Sequence, residues 1–453
     1  MKSVNPFTNQ VIQNYKEHSD AEAKHIIKEV DTAFKSWKLT SFDERGNYLL
    51  NLGKQLEKQQ ESLANLMVDE MGKTKKEALG EIKKCAWVCR YYAENGAQFL
   101  TNETIKTDAS ESYVSFQPLG TILAVMPWNF PFWQVFRFLT PALMAGNTAV
   151  LKHASNVQGC SLAIEKLVSD AGIPENVFRS LLIVGKAVKK VIENPKIKAV
   201  TLTGSTLAGK SVAQTAGSVL KKSVLELGGS DPYLILEDAI IEDAAKLCAS
   251  SRLLNAGQSC IGAKRFIIVE SVYDQFRDAF VREMVAAGFG DPNDENTSIG
   301  PLARHDLRDE LHGQVSASVA KGARILCGGF IPDHEAAFYP PTVLENVVPG
   351  MPAYQEELFG PVASLFKVKT EEEGIQIAND TVFGLGAGVF TQNIERGKKL
   401  AEKGLDAGCV VVNDFVKSDP RLPFGGIKES GYGRELSVFG IREFVNIKTI
   451  VVK

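Results

Sequence analysis

The 453-residue chain lacks an apolar run able to cross a membrane. Its greasiest stretch, Tyr113 to Leu143, is broken by Pro118, Pro127, Asn129, Pro131 and Arg137. It also lacks an excess of charge: 51 Lys+Arg against 54 Asp+Glu leave a formal charge of -3, with no long block of one sign. Neither nucleic acid nor an anionic membrane surface finds an electrostatic partner in such a chain. The seven cysteines are odd in number and scattered, which argues against a disulfide framework and for a reducing cytoplasm. The six histidines form no ligand spacing, and Cys85 and Cys89 have no further thiol or imidazole beside them in sequence, so no metal site is expected. The opening Met1-Lys2-Ser3-Val4-Asn5-Pro6 has none of the apolar character of a signal peptide.

What is present is the composition of a soluble globular protein, 44% apolar and 23% charged, long enough for two or three domains. The first hundred residues carry helical patterns. Ser19-x-x-Glu22 is a capping box ahead of Ile26, Ile27, Val30, Phe34 and Trp37, and further helices are expected over 43–71 and 75–99. Short apolar runs then alternate with helical segments: Ala149–Lys152, Leu181–Val184, Ala199–Thr203, Ser223–Leu227 and Tyr233–Leu236. This alternation predicts an α/β protein with a mostly parallel sheet covered by helices on both faces. A second α/β series starts near Arg265–Val269. Glu111–Gln117 and the tail from Glu443 alternate polar and apolar residues, so they are expected to pair as an antiparallel arm at an oligomer contact.

Two segments carry chemistry. Asn255-Ala256-Gly257-Gln258-Ser259-Cys260 presents a lone thiol among small and polar residues, and Leu225-Glu226-Leu227-Gly228-Gly229 presents a carboxylate beside two glycines. A thiolate attacks carbonyl carbon, and a nearby carboxylate can activate the water that releases the acyl group. Each segment alone reads equally as a buried cysteine and a strand end. Gly204-Ser205-Thr206-Leu207-Ala208-Gly209-Lys210-Ser211 matches G-x-x-x-x-G-K-S. That turn suits a P-loop holding a nucleoside triphosphate, any helix N-terminus under a dinucleotide pyrophosphate, or a plain glycine-flanked turn.

Further landmarks fall in one order along the chain: Pro127-Trp128-Asn129-Phe130-Pro131, Lys152, Thr203-Gly204-Ser205, Glu226-Leu227-Gly228-Gly229, Gly257-Gln258-Ser259-Cys260, Glu356-Glu357-Leu358-Phe359-Gly360-Pro361 and Pro423-Phe424-Gly425-Gly426. The set resembles the NAD(P)-dependent aldehyde dehydrogenase superfamily over nearly the whole chain, with a shorter N-terminus than most members have. The resemblance implies a Rossmann-like dinucleotide-binding domain (1–107 and 123–229), a second α/β catalytic domain (230–430) and a small β oligomerisation arm (108–122 and 436–453), in a homodimer or homotetramer. It implies that Cys260 is the nucleophile, Asn129 the oxyanion donor and Glu226 the base for hydrolysis of a thioester. Trp128, Lys152, Ser155, Gly204, Ser205, Leu227, Glu357 and Phe359 would line the NAD or NADP site, and the glycine turn would sit under that cofactor instead of a triphosphate.

Departures from the family pattern bear on specificity. Lys152-His153-Ala154-Ser155 stands where members often carry Lys-Pro-Ser-Glu, so a 2′-phosphate meets Ser155 instead of a repelling carboxylate, and use of NADP as well as NAD is expected. Leu207 stands where Glu is frequent. Arg137 matches the carboxylate-binding position of succinate-semialdehyde dehydrogenases, whose bacterial branch the chain most resembles; the alternative is an Arg paired with a protein carboxylate. Leu254 replaces a second Arg common in that branch. Ser418 would add a polar contact, and Phe132, Trp133 and Phe424 an apolar tunnel wall around a small aldehyde.

Overall fold

The computed structural model describes residues 1–453. The N-terminal helices begin where local hydrogen bonding favours it. Ser19 Oγ accepts from the Glu22 N–H (3.2 Å) while the Glu22 carboxylate accepts from the Ser19 N–H (2.7 Å), closing a capping box ahead of the helix Asp20–Trp37. Ser41 with Glu44 and Thr74 with Glu77 repeat the device for Phe42–Lys58 and Lys75–Phe99. The single helix expected over 43–71 is two, Phe42–Lys58 and Gln60–Met71, because Gln59 (φ -102°, ψ 9°) leaves helical geometry between them.

A six-stranded sheet runs in the order Gly431–Tyr432, Lys222–Glu226, Ile197–Thr203, Thr121–Met126, Thr148–His153, Phe178–Ser180. All pairings are parallel except that of the two-residue edge strand Gly431–Tyr432. Its central strands are apolar along almost their whole length because helices cover both faces. The chain enters at Thr121–Met126, winds outward to Phe178–Ser180, and then returns to the other side of its first strand. That reversal opens a crevice at the carboxyl ends of Thr121–Met126 and Ile197–Thr203, where open α/β sheets take their ligands. The strand expected at Leu181–Val184 is instead Phe178–Ser180. Leu181 and Ile183 are apolar because they are buried beyond the end of the ladder.

A second sheet has seven strands in the order Arg324–Cys327, Thr342–Glu345, Val362–Val368, Arg265–Val269, Pro232–Ile235, Gly386–Phe390, Cys409–Val412, parallel except at the first edge. In a third, small sheet Val445–Val452 pairs antiparallel with Glu111–Pro118 over eight residues, Val445 opposite Pro118 and Val452 opposite Glu111. Gly120 (φ 136°) turns the chain from this sheet into the six-stranded one. Thr121 and Ile122, grouped with the arm by sequence, therefore lie in the six-stranded sheet, and Ser437–Glu443 is a helix against Lys75–Phe99 and Trp133–Met144.

The wholly buried helix Trp133–Met144 crosses behind the crevice and has no cap of its own. Glu81 supplies one from the neighbouring helix, its carboxylate accepting from the N–H groups of Phe132 (2.8 Å) and Trp133 (2.9 Å) while pairing with the buried ammonium of Lys73. Glu81→Ala strands one buried cation and two N–H groups. Urea denaturation is expected to show a loss of about 3 kcal/mol or more.

Candidate active site

Cys260 is placed by a strained turn. Asn255 (φ 57°), Ala256 (φ 53°) and Gly257 (φ 74°) are consecutive residues in the left-handed region, a costly arrangement for the two that carry a side chain. Cross-bracing holds them. The Asn255 amide donates to the Asn129 carbonyl (2.8 Å) and the Gln258 carbonyl (3.1 Å), and the Asn255 N–H donates to Glu77 Oε1 (2.6 Å). Gln258 Oε1 accepts from the Ala303 N–H (2.9 Å), and Arg252 donates to the Gly257 carbonyl. A Cβ on Gly257 would lie 2.2 Å from the Gly360 backbone. Position 257 thus needs glycine twice over.

Two cavities meet at the thiol. One, of about 400 Å³, follows the crevice of the six-stranded sheet and is lined by Trp128, Asn129, Gly204, Ser205, Leu207, Leu227, Gly228, Cys260, Glu357 and Phe359 among others. The second, of about 250 Å³, is lined by Lys84, Phe130, Trp133, Arg137, Leu254, Cys260, Ser418 and Phe424 among others. Cys260 and Gln134 line both.

The first cavity has the chemistry for a dinucleotide. Ser205 caps the helix Thr206–Ser218, its hydroxyl accepting from the Ala208 N–H (3.4 Å), so the positive end of that helix faces the cavity. Glu357 accepts from the Gly229 N–H (3.1 Å) and pairs with the buried Lys264 (3.4 Å), which fixes its carboxylate at the wall. Trp128 and Phe359 meet edge to face with centroids 5.8 Å apart. Lys152 is the penultimate residue of the adjacent strand Thr148–His153, beyond the cavity lining; burial lowers its ammonium below the ordinary lysine range, and Ser155 lies exposed in the following turn. Lys210 is exposed and paired with Glu429 (2.9 Å), and Ser211 is exposed, so neither faces the cavity as a P-loop would require.

Around the thiol, Asn129 Nδ2 donates to the Gln258 carbonyl (3.0 Å), which leaves its second N–H available, and its Oδ1 is buried without a partner. Glu226 ends the strand Lys222–Glu226 and lines neither cavity. Its carboxyl rests against Gly425, where a Cβ would come within 2.6 Å of Oε1, and neither oxygen has a hydrogen-bond partner in the protein. Burial first, and the neighbouring Glu435 second, raise the Glu226 carboxyl well above the usual carboxylate range. Burial pushes the Cys260 thiol up to about 12, against the opposing pull of Arg137.

The residues singled out for substrate separate into two groups. Trp133, Ser418, Phe424 and Arg137 all line the second cavity, but Arg137 is ion-paired with Glu435, donates to Thr203 Oγ1 (3.2 Å) and lies 4.8 Å over the Phe424 ring. The protein-carboxylate alternative is therefore the one realised, since a guanidinium this buried requires a counter-charge of its own. Phe132 belongs to the core and not to the cavity wall: it precedes a buried helix, and Phe130 takes the wall position. Sequence reading missed Lys84, Glu435 and the bracing Asn255. For Lys84 the sequence offers no signal, since it is one of several lysines on its helix.

A parallel sheet with a ligand crevice at its switch point, joined to a second α/β unit that delivers a thiol into that crevice, defines a dinucleotide-dependent enzyme of covalent carbonyl chemistry. The aldehyde dehydrogenase family model matches residues 1–450, and the chain belongs to that family. It is 48% identical to a Synechocystis protein named a probable NADP+-dependent succinate-semialdehyde dehydrogenase, the match covering 99% of this chain and 98% of that one. It is 43% identical to the NAD(P)+ succinate semialdehyde dehydrogenase of Escherichia coli over 99% of this chain and 97% of the other. The crystal structure of a succinic semialdehyde dehydrogenase from Streptococcus pyogenes with NADP+ superimposes with a TM-score of 0.97 at 37% identity, covering 100% of this chain and 99% of that one.

The strained turn yields a test. Gly257→Ala forces a left-handed alanine into the Gly360 backbone. It should cost about 2 kcal/mol or more by thermal unfolding and abolish turnover; a variant with wild-type melting and activity would refute the geometry.

Proposed function

We propose that this protein oxidises succinate semialdehyde, or a closely related ω-carboxylated aldehyde, to the acid with NAD(P)+, through a thiohemiacetal and then a thioester on Cys260. The observation that carries the reading is that Cys260 opens at once onto the cavity at the sheet's switch point and onto a second cavity lined by the cationic side chains Lys84 and Arg137. The names of the Synechocystis, E. coli and S. pyogenes relatives support the same substrate.

In this reading Gly204, Ser205 and the helix they open hold the pyrophosphate, and Glu357 holds a ribose. Trp128, Leu227 and Phe359 flank the nicotinamide, and Lys152 with Ser155 receives the adenosine ribose or its 2′-phosphate. The bound cofactor supplies the two-electron acceptor. A thiol raised as far as Cys260 is protonated at neutral pH, so its attack needs a base. Glu226, whose raised carboxyl suits that role, turns from Gly425 toward the sulfur and accepts the proton. The sulfur adds to the aldehyde carbon. The free N–H of Asn129 and the backbone N–H of Cys260 then hold the oxyanion, a contribution of about 3–4 kcal/mol for one such donor. After oxidation Glu226 activates the water that hydrolyses the thioester, releasing the acid and restoring the thiol.

The three-stranded sheet supports assembly with another copy as a homodimer or homotetramer, because its edge strand Val445–Val452 exposes Ile447, Val451 and Val452. No helix is long and apolar enough to cross a membrane; the reducing cytoplasm remains the setting we propose from the unpaired cysteines.

Absorbance at the nicotinamide wavelength, followed over succinate semialdehyde and butanal with each cofactor, tests the substrate. A higher kcat/KM for succinate semialdehyde is expected, and equal values would favour a general medium-chain aldehyde dehydrogenase. Cys260→Ser should remove measurable activity. Glu226→Gln should slow turnover about 100-fold or more, with both formation and hydrolysis of the Cys260 acyl group slowed when followed by mass spectrometry. Rapid hydrolysis in that variant would assign the base elsewhere.

A further inference from the structure

Resting on the covalent reading above, we infer that Lys264 is a positioning residue for the oxyanion donor. It holds the Ser259 carbonyl, and so turns and polarises the other end of the same peptide, the Cys260 N–H. Lys264 lies just ahead of the strand Arg265–Val269 and is buried beneath the turn that carries the thiol. Its own backbone is fixed first. The Lys264 N–H donates to the Asp231 carbonyl (3.1 Å), and its carbonyl accepts from the Ser364 N–H (2.9 Å). The side chain then folds back under residues 259–262, where Nζ donates to the carbonyls of Ser259 (3.0 Å), Cys260 (3.0 Å) and Gly262 (3.1 Å). An ammonium has three protons, so these carbonyls use its whole donor capacity. Glu357, 3.4 Å away, is left as its counter-charge.

No peptide bond in the chain is cis. In a trans peptide the carbonyl and the N–H point in opposite directions, so a Ser259 carbonyl drawn to Lys264 sends the Cys260 N–H the other way. That N–H donates to no acceptor in the protein. It belongs to the residue that bears the thiol and lines both cavities. The preceding carbonyls are held as well, Gly257 by Arg252 and Gln258 by the Asn129 and Asn255 amides. The turn thus engages its carbonyls with buried donors and keeps one N–H free beside the sulfur.

Neutral amides suffice to orient the Gln258 peptide. A charge on the Ser259 oxygen does more, because it draws electron density along the peptide and makes the Cys260 N–H a stronger donor. The other charges near the ammonium are committed: Arg252 to the Gly257 carbonyl, and Asp231 to the Gly386 N–H (3.1 Å). Gly229 gives the room for this packing, since a Cβ there would lie 2.5 Å from the Cys260 carbonyl oxygen.

The test compares two reactions of one thiol in the full-length protein. Aldehyde oxidation at saturating NADP+ builds an oxyanion, whereas alkylation by iodoacetamide, a displacement at saturated carbon, builds none. In Lys264→Met, kcat and kcat/KM for succinate semialdehyde should both fall about 100-fold, the size of a lost oxyanion donor. Alkylation of Cys260, followed by mass spectrometry of its peptide, should stay within about fivefold of wild type, the residue of a slightly weaker thiol acid. Lys264→Gln keeps two donors without the charge; it should show the same split, and it replaces the methionine variant if thermal melting finds that one unfolded. Equal losses in the two reactions would make Lys264 a mere support for the sulfur and overturn the assignment. Retained kcat with only a raised KM for NADP+ would confine Lys264 to Glu357 and overturn it too. A wild-type protein that oxidises no aldehyde, or acylates a residue other than Cys260, would instead remove the covalent reading itself.

Discussion

The site depends on one amide. Asn255 bridges the Asn129 carbonyl, from the loop after the central strand of the six-stranded sheet, and the Gln258 carbonyl, from the turn that carries Cys260. Through it, one element of each α/β unit is fixed against the other. Three consecutive left-handed residues are tolerated because that bridge, Glu77 and Arg252 together hold them. Glycine at 257 follows from the same geometry, since the Gly360 backbone packs directly against the turn.

Behind the thiol, buried charge is distributed so that each group has one task. Glu81 holds Lys73 and caps the helix Trp133–Met144, and Glu435 holds Arg137. Glu226 is left without a hydrogen-bond partner, next to another carboxyl, and so carries the raised proton affinity of a base. Lys84 is left with only Ser418 and the Trp133 ring as partners. Pairing removes a charge from chemistry; the unpaired groups are those the proposed reaction uses.

Much of the architecture could be read from patterns that act locally. The capping box at Ser19 and Glu22 is found where the spacing placed it, and the apolar runs at Ala149–Lys152 and Ala199–Thr203 became strands buried on both faces. Leu181–Val184 was misread because an apolar run records burial, and burial here continues past the last strand pairing. Strands Arg324–Cys327 and Thr342–Glu345 and the helix His305–Ala320 gave no usable signal. The helix has a weakly segregated apolar face, and Arg324–Cys327 is half-exposed at a sheet edge.

The sequence by itself determined the family, because its short motifs keep their order without knowledge of contacts, and those motifs are the ground on which roles for Cys260, Glu226 and Asn129 are proposed. It also gave the polarity of the turn at Gly204 and Ser205, which depends on nearest neighbours alone. Only the tertiary structure decided which of the cations at the second cavity carries a carboxylate partner. Arg137 carried the motif, yet Glu435, remote in sequence, neutralises it, while Lys84 is left exposed to the cavity because Glu77, Glu81 and Asp419 are each engaged elsewhere. Charge pairing is settled by proximity in space, and a linear pattern of residues does not encode it.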